Sequence, residues 1–189
     1  MRVSQEALKE SEERYRLCVE CTNDGIWDWN IVENKAFYSS RWKEMLGFSE
    51  GEIQHTFDAW RDLIHPSDMN YVIKEMQMHL NNENKIFYVE YRIRTKEGNY
   101  KWIRSRGKAL RDTQGKAVRM AGSNTDITDQ KNYENRIQRM VYYDTLTGLP
   151  NRTFFEEKLS SLIELSVSRN ELGAIMCLDL DNCQNVNDI

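Results

Sequence analysis

Two cysteines with a Cys-x-x-Cys spacing are the first side chains in the sequence whose types and spacing could do chemistry. Cys18 and Cys21 have the arrangement of a redox-active dithiol or of half a zinc site. A zinc site needs a second cysteine or histidine pair, and none follows at zinc-finger spacing. A thioredoxin-like pair follows a strand, whereas these cysteines lie among helix-forming residues. We therefore predict two small apolar residues on a helix, in a chain whose thiols stay reduced.

Aromatic side chains are the second group with a potential chemical use. They make up 11% of the chain and include five Trp, which is enough to surround a small-molecule cavity. The same side chains could instead simply fill a hydrophobic core, and the sequence leaves both interpretations open. The pocket candidates are Trp27, Phe37, Trp42, Trp60, Tyr91 and Trp102.

Composition restricts the class of protein and its partners. Of the 189 residues, 40% are hydrophobic and 30% are charged, which favours a globular core over disorder. Lys and Arg number 26 against 30 Asp and Glu, without a long basic run, so no nucleic-acid partner is expected. No apolar run approaches the ~20 residues that span a bilayer, and the charged N-terminus does not resemble a signal peptide. A cytoplasmic location is expected.

Hydrophobic periodicity predicts an antiparallel sheet. Residues 3–22 have helical spacing, two short aromatic strands then form a hairpin, and three short helices follow, the last two separated at Pro66. Three more strands complete the order β-β-α-α-α-β-β-β. Gly98 and Gly115 lie between these strands, where hairpin turns need a positive φ. One face of the first of the three is apolar and carries Phe87, Val89, Tyr91 and Ile93.

The remaining third of the sequence changes character. Residues 129–143 are polar, with Tyr133, Ile137 and Met140 at the spacing of a short coiled-coil seam, which predicts a homodimer formed through helical segments. From Asp144 onwards, a turn, a helix and the apolar run GAIMCLDL predict the start of a second, α/β module.

The order of several short motifs resembles that of a PAS domain with its C-terminal PAC part. These motifs, between about Glu12 and Gln130, are GIWDWN, RWKEMLGFSEGEI, WRDLIHPSDM, YKWIRSRGKALRD and DITDQK. The resemblance implies an α+β PAS fold, an antiparallel sheet with helices on one side around a small internal space. It also implies a sensor that binds a small molecule or a partner, although the ligand is unknown. In similar PAS proteins the Asp-Ile-Thr segment leads into the signalling helix, so Asp126 and Thr128 are the expected signalling junction.

Haem and flavin bind to some PAS domains, and neither is expected here. His65 precedes Pro66 where the family carries a His-Pro pair. We expect His65 and Ser67 to end one helix and begin the next, with Ser67 as the capping side chain. Cys18 and Cys21 lack the Asn-Cys-Arg-Phe context of the flavin-binding PAS subgroup.

The segment DTLTGLPNR, from Asp144 to Arg152, is similar to the opening motif of GGDEF-type diguanylate cyclase domains. The segment LDLDNCQNVNDI resembles the strand and turn that begin their active site. The resemblance implies that Asp179 and the backbone carbonyl of Leu180 hold Mg²⁺, and that Asn187 contacts the guanine of GTP. Mg²⁺ and GTP are therefore expected as cofactor and substrate of an intact parent protein.

Departures from the GGDEF pattern argue against catalysis by this chain. Cys183 and Gln184 stand where the family usually has Phe and Lys, so an aromatic contact and a positive charge near the triphosphate are missing. The sequence also contains no Gly-Gly pair and hence no GGDEF hairpin. One carboxylate cannot assemble a metal-assisted phosphoryl-transfer site, so this chain is not expected to make cyclic di-GMP.

These observations predict four parts: an N-terminal helix (1–22), a PAS/PAC sensor domain (23–128), a signalling helix (129–143) and a truncated α/β nucleotide-cyclase-like segment (144–189). The predicted function is the sensory module of a bacterial cyclic di-GMP signalling protein, which passes binding through the helix to a GGDEF output domain. Two alternatives stay open for the parent. It is an active diguanylate cyclase that converts two GTP to cyclic di-GMP, or its degenerate domain binds GTP and regulates a following phosphodiesterase domain.

Overall fold

The computed structural model describes residues 23–81 and 86–178 and, nearer the N-terminus, residues 6, 9, 10, 13, 14, 16, 17, 19 and 21. The described N-terminal residues have helical backbone, as predicted. The chain divides into two units, residues 1–133 and 134–189. Among the described helices, none is long and apolar enough to cross a membrane.

The first unit is a five-stranded antiparallel sheet with three short helices between its second and third strands. The strands are hydrogen-bonded in the order β2-β1-β5-β4-β3. This arrangement confirms the predicted α+β class and element order. The elements are β1 (Gly25–Asn30), β2 (Lys35–Tyr38), α1 (Ser40–Met45), α2 (Phe57–Arg61), α3 (Pro66–Leu80), β3 (Phe87–Arg94), β4 (Tyr100–Arg111) and β5 (Ala117–Asp126).

Turns and caps follow from local chemistry. Gly98 and Gly115 have φ of +90° and +83° in the two hairpin turns, a region that L side chains avoid. At the start of α3 the prediction of the capping residue was wrong. Pro66 occupies the first helical turn, so His65 takes the cap position and its Nδ1 accepts a hydrogen bond from Ser67 N at 3.1 Å.

The core lies between one face of the sheet and the helices. Alternate side chains of β3 are at most 1% exposed, which confirms the apolar face predicted from the sequence. From the helical side, Trp42, Val72 and Met76 pack against this face. Each such side chain contributes about 1.5–3 kcal/mol on burial, so this layer holds the first unit together. The buried residues of β3 are Phe87, Val89, Tyr91 and Ile93.

The second unit contains most of helix α4 (Thr128–Tyr142) and helix α5 (Arg152–Arg169). Between them, Asp144 Oδ1 accepts hydrogen bonds from the backbone N–H groups of Leu146 and Thr147. Asn151 then caps α5 by accepting from Phe154 N at 3.1 Å. The predicted strand in GAIMCLDL is not found in its described part, residues 173–178. A strand needs a hydrogen-bonded neighbour, and the described part of this unit offers none.

Candidate ligand cavity and signalling junction

A small cavity of about 30 Å³ lies on the inner face of the sheet, where helices α2 and α3 cover it. Its wall is almost entirely apolar. The volume gives room for about two water molecules. The wall is formed by Trp27, Asp28, Trp29, Ala36, Tyr38, Phe57, Trp60, Met76, Phe87 and Ser105.

The cavity brings together only some of the predicted pocket residues. Trp27 and Trp60 line it. Trp42 and Tyr91 are buried in the core outside the lining, and Trp42 stacks on Tyr38 with 4.4 Å between ring centroids. Phe37 is 54% exposed, so its placement in the pocket was wrong.

Strand alternation explains these differences. Ala36 and Tyr38 of β2 point inwards, so Phe37 between them points outwards. Trp102 likewise precedes the buried Ile103 and lies on the outer face of β4, away from the cavity. Tyr38 was not among the predicted pocket residues, although strand alternation places it on the inner face.

Trp27 occupies its place in the wall because two glycines face it. A Cβ atom built on Gly107 or on Gly122 would lie 2.5 Å from the Trp27 ring, well inside van der Waals contact. These glycines pair with each other on β4 and β5, and Trp27 pairs with Gly122. The indole therefore rests directly on the backbone of two neighbouring strands.

Buried polar groups run through the core beside the cavity. Trp60 Nε1 donates to the Tyr91 hydroxyl at 2.7 Å, and the Asn124 side chain also hydrogen-bonds Tyr91. Burial raises the pKa of Tyr91 to about 12, and burial also raises that of Tyr38. Both hydroxyls therefore stay neutral at physiological pH. Among the described residues, Trp27 Nε1 and Asn124 Oδ1 are buried without a hydrogen-bond partner.

The predicted signalling junction forms a compact hydrogen-bonded corner between β5 and α4. Asp126 Oδ1 accepts from Thr128 N at 3.0 Å and from Thr128 Oγ1 at 2.6 Å. Asp126 Oδ2 accepts from Lys101 Nζ at 2.9 Å. Partial burial raises the pKa of Asp126, but the bonds from Thr128 and Lys101 outweigh it and leave the pKa below its usual value. Trp102 N also donates to Thr128 Oγ1, so strand β4 shares this corner.

A second cluster ties the first turn of α4 to the outer face of the sheet. Glu90 accepts from Lys131 Nζ at 2.7 Å and from Arg104 Nε at 2.9 Å. The hydrogen bond from Lys131, supported by Arg104, lowers the pKa of Glu90 to about 2. Lys131 Nζ and the Arg92 guanidinium lie 5.5 Å and 5.4 Å from the Trp102 ring centroid, at cation–π distance. We name Glu90, Arg92, Trp102, Arg104 and Lys131 the outer-face cluster.

The predicted nucleotide and metal ligands cannot be placed. Asp179, Leu180 and Asn187 lie outside the described residues, as does Cys18. Cys21 is described and has an exposed, free thiol. Within the described part of the chain, no group of three or more His, Cys, Asp or Glu side chains is arranged to hold a metal ion.

Comparison with protein families gives two matches that follow one another along the chain. The family model described as "PAS fold" matches residues 35–124. The model described as "Diguanylate cyclase, GGDEF domain" matches residues 141–189.

Two curated proteins are similar to different shares of the chain. An uncharacterized protein of Sinorhizobium fredii, y4lL, is 31% identical over 97% of this chain, which spans 22% of that protein. A blue-light-activated histidine kinase of Brucella ovis is 29% identical over 66% of this chain and 24% of its own length. The chain therefore spans about a quarter or less of these curated relatives.

Solved structures agree on the fold. A sensory box histidine kinase/response regulator from Burkholderia thailandensis is 34% identical, with a TM-score of 0.59, covering 66% of this chain and 92% of that one. The N-terminal domain of a diguanylate cyclase with PAS/PAC sensor from Marinobacter aquaeolei is 21% identical. Its TM-score is 0.52, and the match covers 57% of this chain and 98% of that one. At that identity the second likeness shows the fold alone.

Proposed function

This chain belongs to the PAS-fold proteins and carries a GGDEF segment behind its PAS domain, and from this premise we propose that it is the sensory module of a cyclic di-GMP signalling protein. In this proposal, binding of a small ligand or a partner to the PAS domain is passed through helix α4 to a GGDEF output domain. The observation that carries the proposal is the attachment of α4 at its start. Its first turn is held by the junction at Asp126 and by the Glu90–Lys131 ion pair.

Alternation along the strands supports a route from the cavity to the helix. On β3, Tyr91 faces the core beside the cavity, and its neighbours Glu90 and Arg92 face outwards into the outer-face cluster. On β4, Ser105 lines the cavity and Arg104 bonds Glu90. A ligand that displaces either strand moves the groups that hold α4. Such a ligand shifts the equilibrium only by its difference in affinity for two arrangements of the helix.

The far end of α4 is tied to the opening of the GGDEF segment. Asn151 N donates to the carbonyl of Tyr142 at 2.8 Å, and Asn151 Nδ2 donates to that of Val141 at 2.8 Å. The residue that caps α5 is therefore bonded to the end of α4. This continuity supports a mechanical connection between α4 and the output segment.

We propose a homodimer formed through α4. Tyr133, Ile137 and Met140 are 65%, 62% and 53% exposed along one side of this helix, which is the arrangement of an unpaired coiled-coil seam. Replacing both Ile137 and Met140 with Glu should weaken the dimer at least tenfold, because four carboxylates would then face one another across the seam. Sedimentation equilibrium measures this change. Asn135→Glu, on the opposite side of α4, is the control and should leave association unchanged; equal dimers in all three proteins would place the interface elsewhere.

For the output domain, we propose that Asp179 and the Leu180 carbonyl hold Mg²⁺ and that Asn187 binds the guanine of GTP in an intact parent. The parent is then a diguanylate cyclase, or a GTP-binding regulator of a phosphodiesterase domain, which Cys183 and Gln184 favour. The residues of this chain alone should form no cyclic di-GMP from GTP and Mg²⁺, because the second metal-binding carboxylate and its glycines are missing. Product detection by chromatography tests this proposal, and any turnover contradicts it.

A further inference from the structure

Helix α3 is joined to strand β4 by a buried histidine that accepts a hydrogen bond. His79, in the last turn of the helix, is 2% exposed, and its Nε2 accepts from the backbone N–H of Ala109 at 3.0 Å. Strand β3 begins at Phe87, which pairs with Gly107, so Ala109 lies beyond the part of β4 that pairs with β3. Because hydrogen-bonding directions alternate along a strand, the N–H of Ala109 points to the same side as that of Gly107. The His79 ring is the acceptor on this side, where β3 no longer runs.

A second histidine accepts a hydrogen bond at the other end of α3. His65 is the capping residue of this helix, and its Nδ1 accepts from Ser67 N at 3.1 Å. Each of these two bonds needs a ring nitrogen without a proton. A neutral imidazole has one such nitrogen, whereas both nitrogens of the protonated ring are donors. The two bonds therefore exist only while the rings of His65 and His79 are neutral.

The charged groups around His79 determine the effect of a proton on this ring. From β4, the Arg111 guanidinium donates to the carbonyl of His79 at 2.6 Å and to that of Leu80 at 2.8 Å. Arg111 therefore already supplies the positive charge that the last carbonyls of a helix favour. On α3 itself, Glu75 lies one turn before His79 and favours its protonation. A proton on Nε2 would nevertheless set two N–H groups against each other, beside a guanidinium and out of contact with water. Proton uptake by His79 and its bond to Ala109 exclude each other.

His65 lies in a more polar setting than His79. Its ring is half-buried and lies against Tyr100 of β4, with 4.6 Å between ring centroids. On α3, the carboxylate of Asp68 attracts a charged His65, but Arg92 of β3 already pairs with that carboxylate at 2.7 Å. The free N–H groups of the first helical turn disfavour a positive charge at this end. Because water reaches the ring of His65, a smaller effect of protonation is expected here than at His79.

We propose that helix α3 is a pH-sensitive element of the PAS domain, whose end is released from β4 when His79 takes up a proton. Val72 and Met76 pack the middle of α3 against the sheet, so release of its end loosens the layer that covers the inner face. Histidine side chains of unfolded chains take up a proton near about pH 6.5. Below that pH the unfolded chain binds a proton that the folded chain excludes, so this stabilisation is present at higher pH and is lost as the pH falls. The proposal is independent of the sensor function above, because it involves neither a ligand nor helix α4.

Urea unfolding of the full chain at about pH 7.5 and about pH 5.5 tests this proposal. His79→Gln keeps a side-chain oxygen that can accept from Ala109 but cannot titrate. On acidification, the unfolding constant of the wild type should rise about tenfold more than that of His79→Gln, because an unfolded histidine is about ten to one protonated one pH unit below its midpoint. His55→Gln, at the exposed third histidine, is the matched control and should keep the wild-type pH dependence. Equal pH dependence of wild type and His79→Gln overturns the proposal, as does an equal change in His55→Gln.

The wild-type chain gives a second measurement that does not require a variant to fold. The ring ¹⁵N resonances of His79 should show a neutral imidazole with its proton on Nδ1 at about pH 7.5. As the pH is lowered, protonation of this ring should coincide with at least a fivefold loss of amide-exchange protection at Ala109, relative to the amide of Ser105 in the middle of β4. A proton on Nε2 at the higher pH, or a protonated ring beside an Ala109 amide that stays fully protected, would contradict the proposal.

Discussion

The two faces of strands β3 and β4 have opposite chemistry, although they share one backbone. On the inner face, Val89, Tyr91 and Ile103 are wholly buried and neutral. On the outer face, Glu90 and Arg104 form charge-assisted hydrogen bonds that solvent reaches. On β4, for example, Ser105 lines the cavity, and the residue before it, Arg104, forms an ion pair on the outer face.

The two faces of the sheet are expected to respond differently to perturbation. Close packing tolerates little change in shape and responds weakly to salt or pH. Exposed ion pairs are weak, and both salt and protonation change them. A displacement of the closely packed strands therefore changes the weaker Glu90–Lys131 ion pair on the outer face, which holds the start of helix α4.

The largest effect is expected at the glycine pair of the inner face. The added Cβ of Gly122→Ala would lie 2.0 Å from the Arg106 carbonyl oxygen and 2.5 Å from Trp27. Neither the backbone nor the packed ring can move without disrupting its neighbours, so the free energy of unfolding should fall by about 3 kcal/mol or more. Urea denaturation measures it. Ser123→Ala, the next residue of β5, should change stability by less than about 0.5 kcal/mol, and similar values for both variants would mean that the inner face is not tightly packed.

A smaller effect is expected from a single buried hydroxyl. Tyr91→Phe removes the acceptor of Trp60 Nε1 and leaves a buried donor unpaired, which should cost about 1–3 kcal/mol of stability. Tyr88→Phe removes a hydroxyl that bonds Glu90 on the outer face at 3.2 Å, where water can replace it. That control should lose less than about 0.5 kcal/mol in the same thermal or urea unfolding experiment. Equal losses of stability in the two variants would mean that the buried and the exposed hydroxyl groups contribute alike.

The smallest of these effects is expected at Glu90, and it depends on pH. The pKa of this carboxyl falls from 4.5 to about 2 in the folded chain. Its contribution to stability is therefore present above about pH 4.5 and is lost as the pH falls towards 2. Because the side chain is partly solvated, we expect about 1 kcal/mol. Stability curves of wild type and Glu90→Gln should converge over this pH range, and high salt should reduce their difference at pH 7; a constant difference would exclude a role of the charge.

Much of the fold could be predicted because its strands, turns and helix starts depend on residues that are close together in the sequence. The period-two alternation from Phe87 to Ile93 identified both a strand and its buried face. Gly98 and Gly115 marked the turns because few other residues adopt their φ. Pro66 marked a helix start, although the capping side chain is His65 rather than Ser67.

The candidate site was harder to predict because it depends on tertiary pairing. Glu90 and Lys131 are far apart in the sequence, and nothing local indicates that they meet. Phe37 was placed in the pocket for its size, whereas its strand position turns it outwards. The run GAIMCLDL has the composition of a buried strand, but composition alone supplies no partner strand. The sites of Asp179 and Asn187 stay predictions.

The central claim is that the cavity wall and the start of helix α4 are energetically coupled through β3. A double-mutant cycle between Trp60→Phe and Lys131→Met tests it most directly. Trp60 hydrogen-bonds Tyr91 on the inner face. Lys131 hydrogen-bonds Glu90, the residue before Tyr91, on the outer face. The two hydrogen bonds therefore have no residue in common. Independent sites are additive to within about 0.3–0.5 kcal/mol. The account predicts a coupling free energy of about 1 kcal/mol in urea unfolding, and strict additivity of the two substitutions would contradict it.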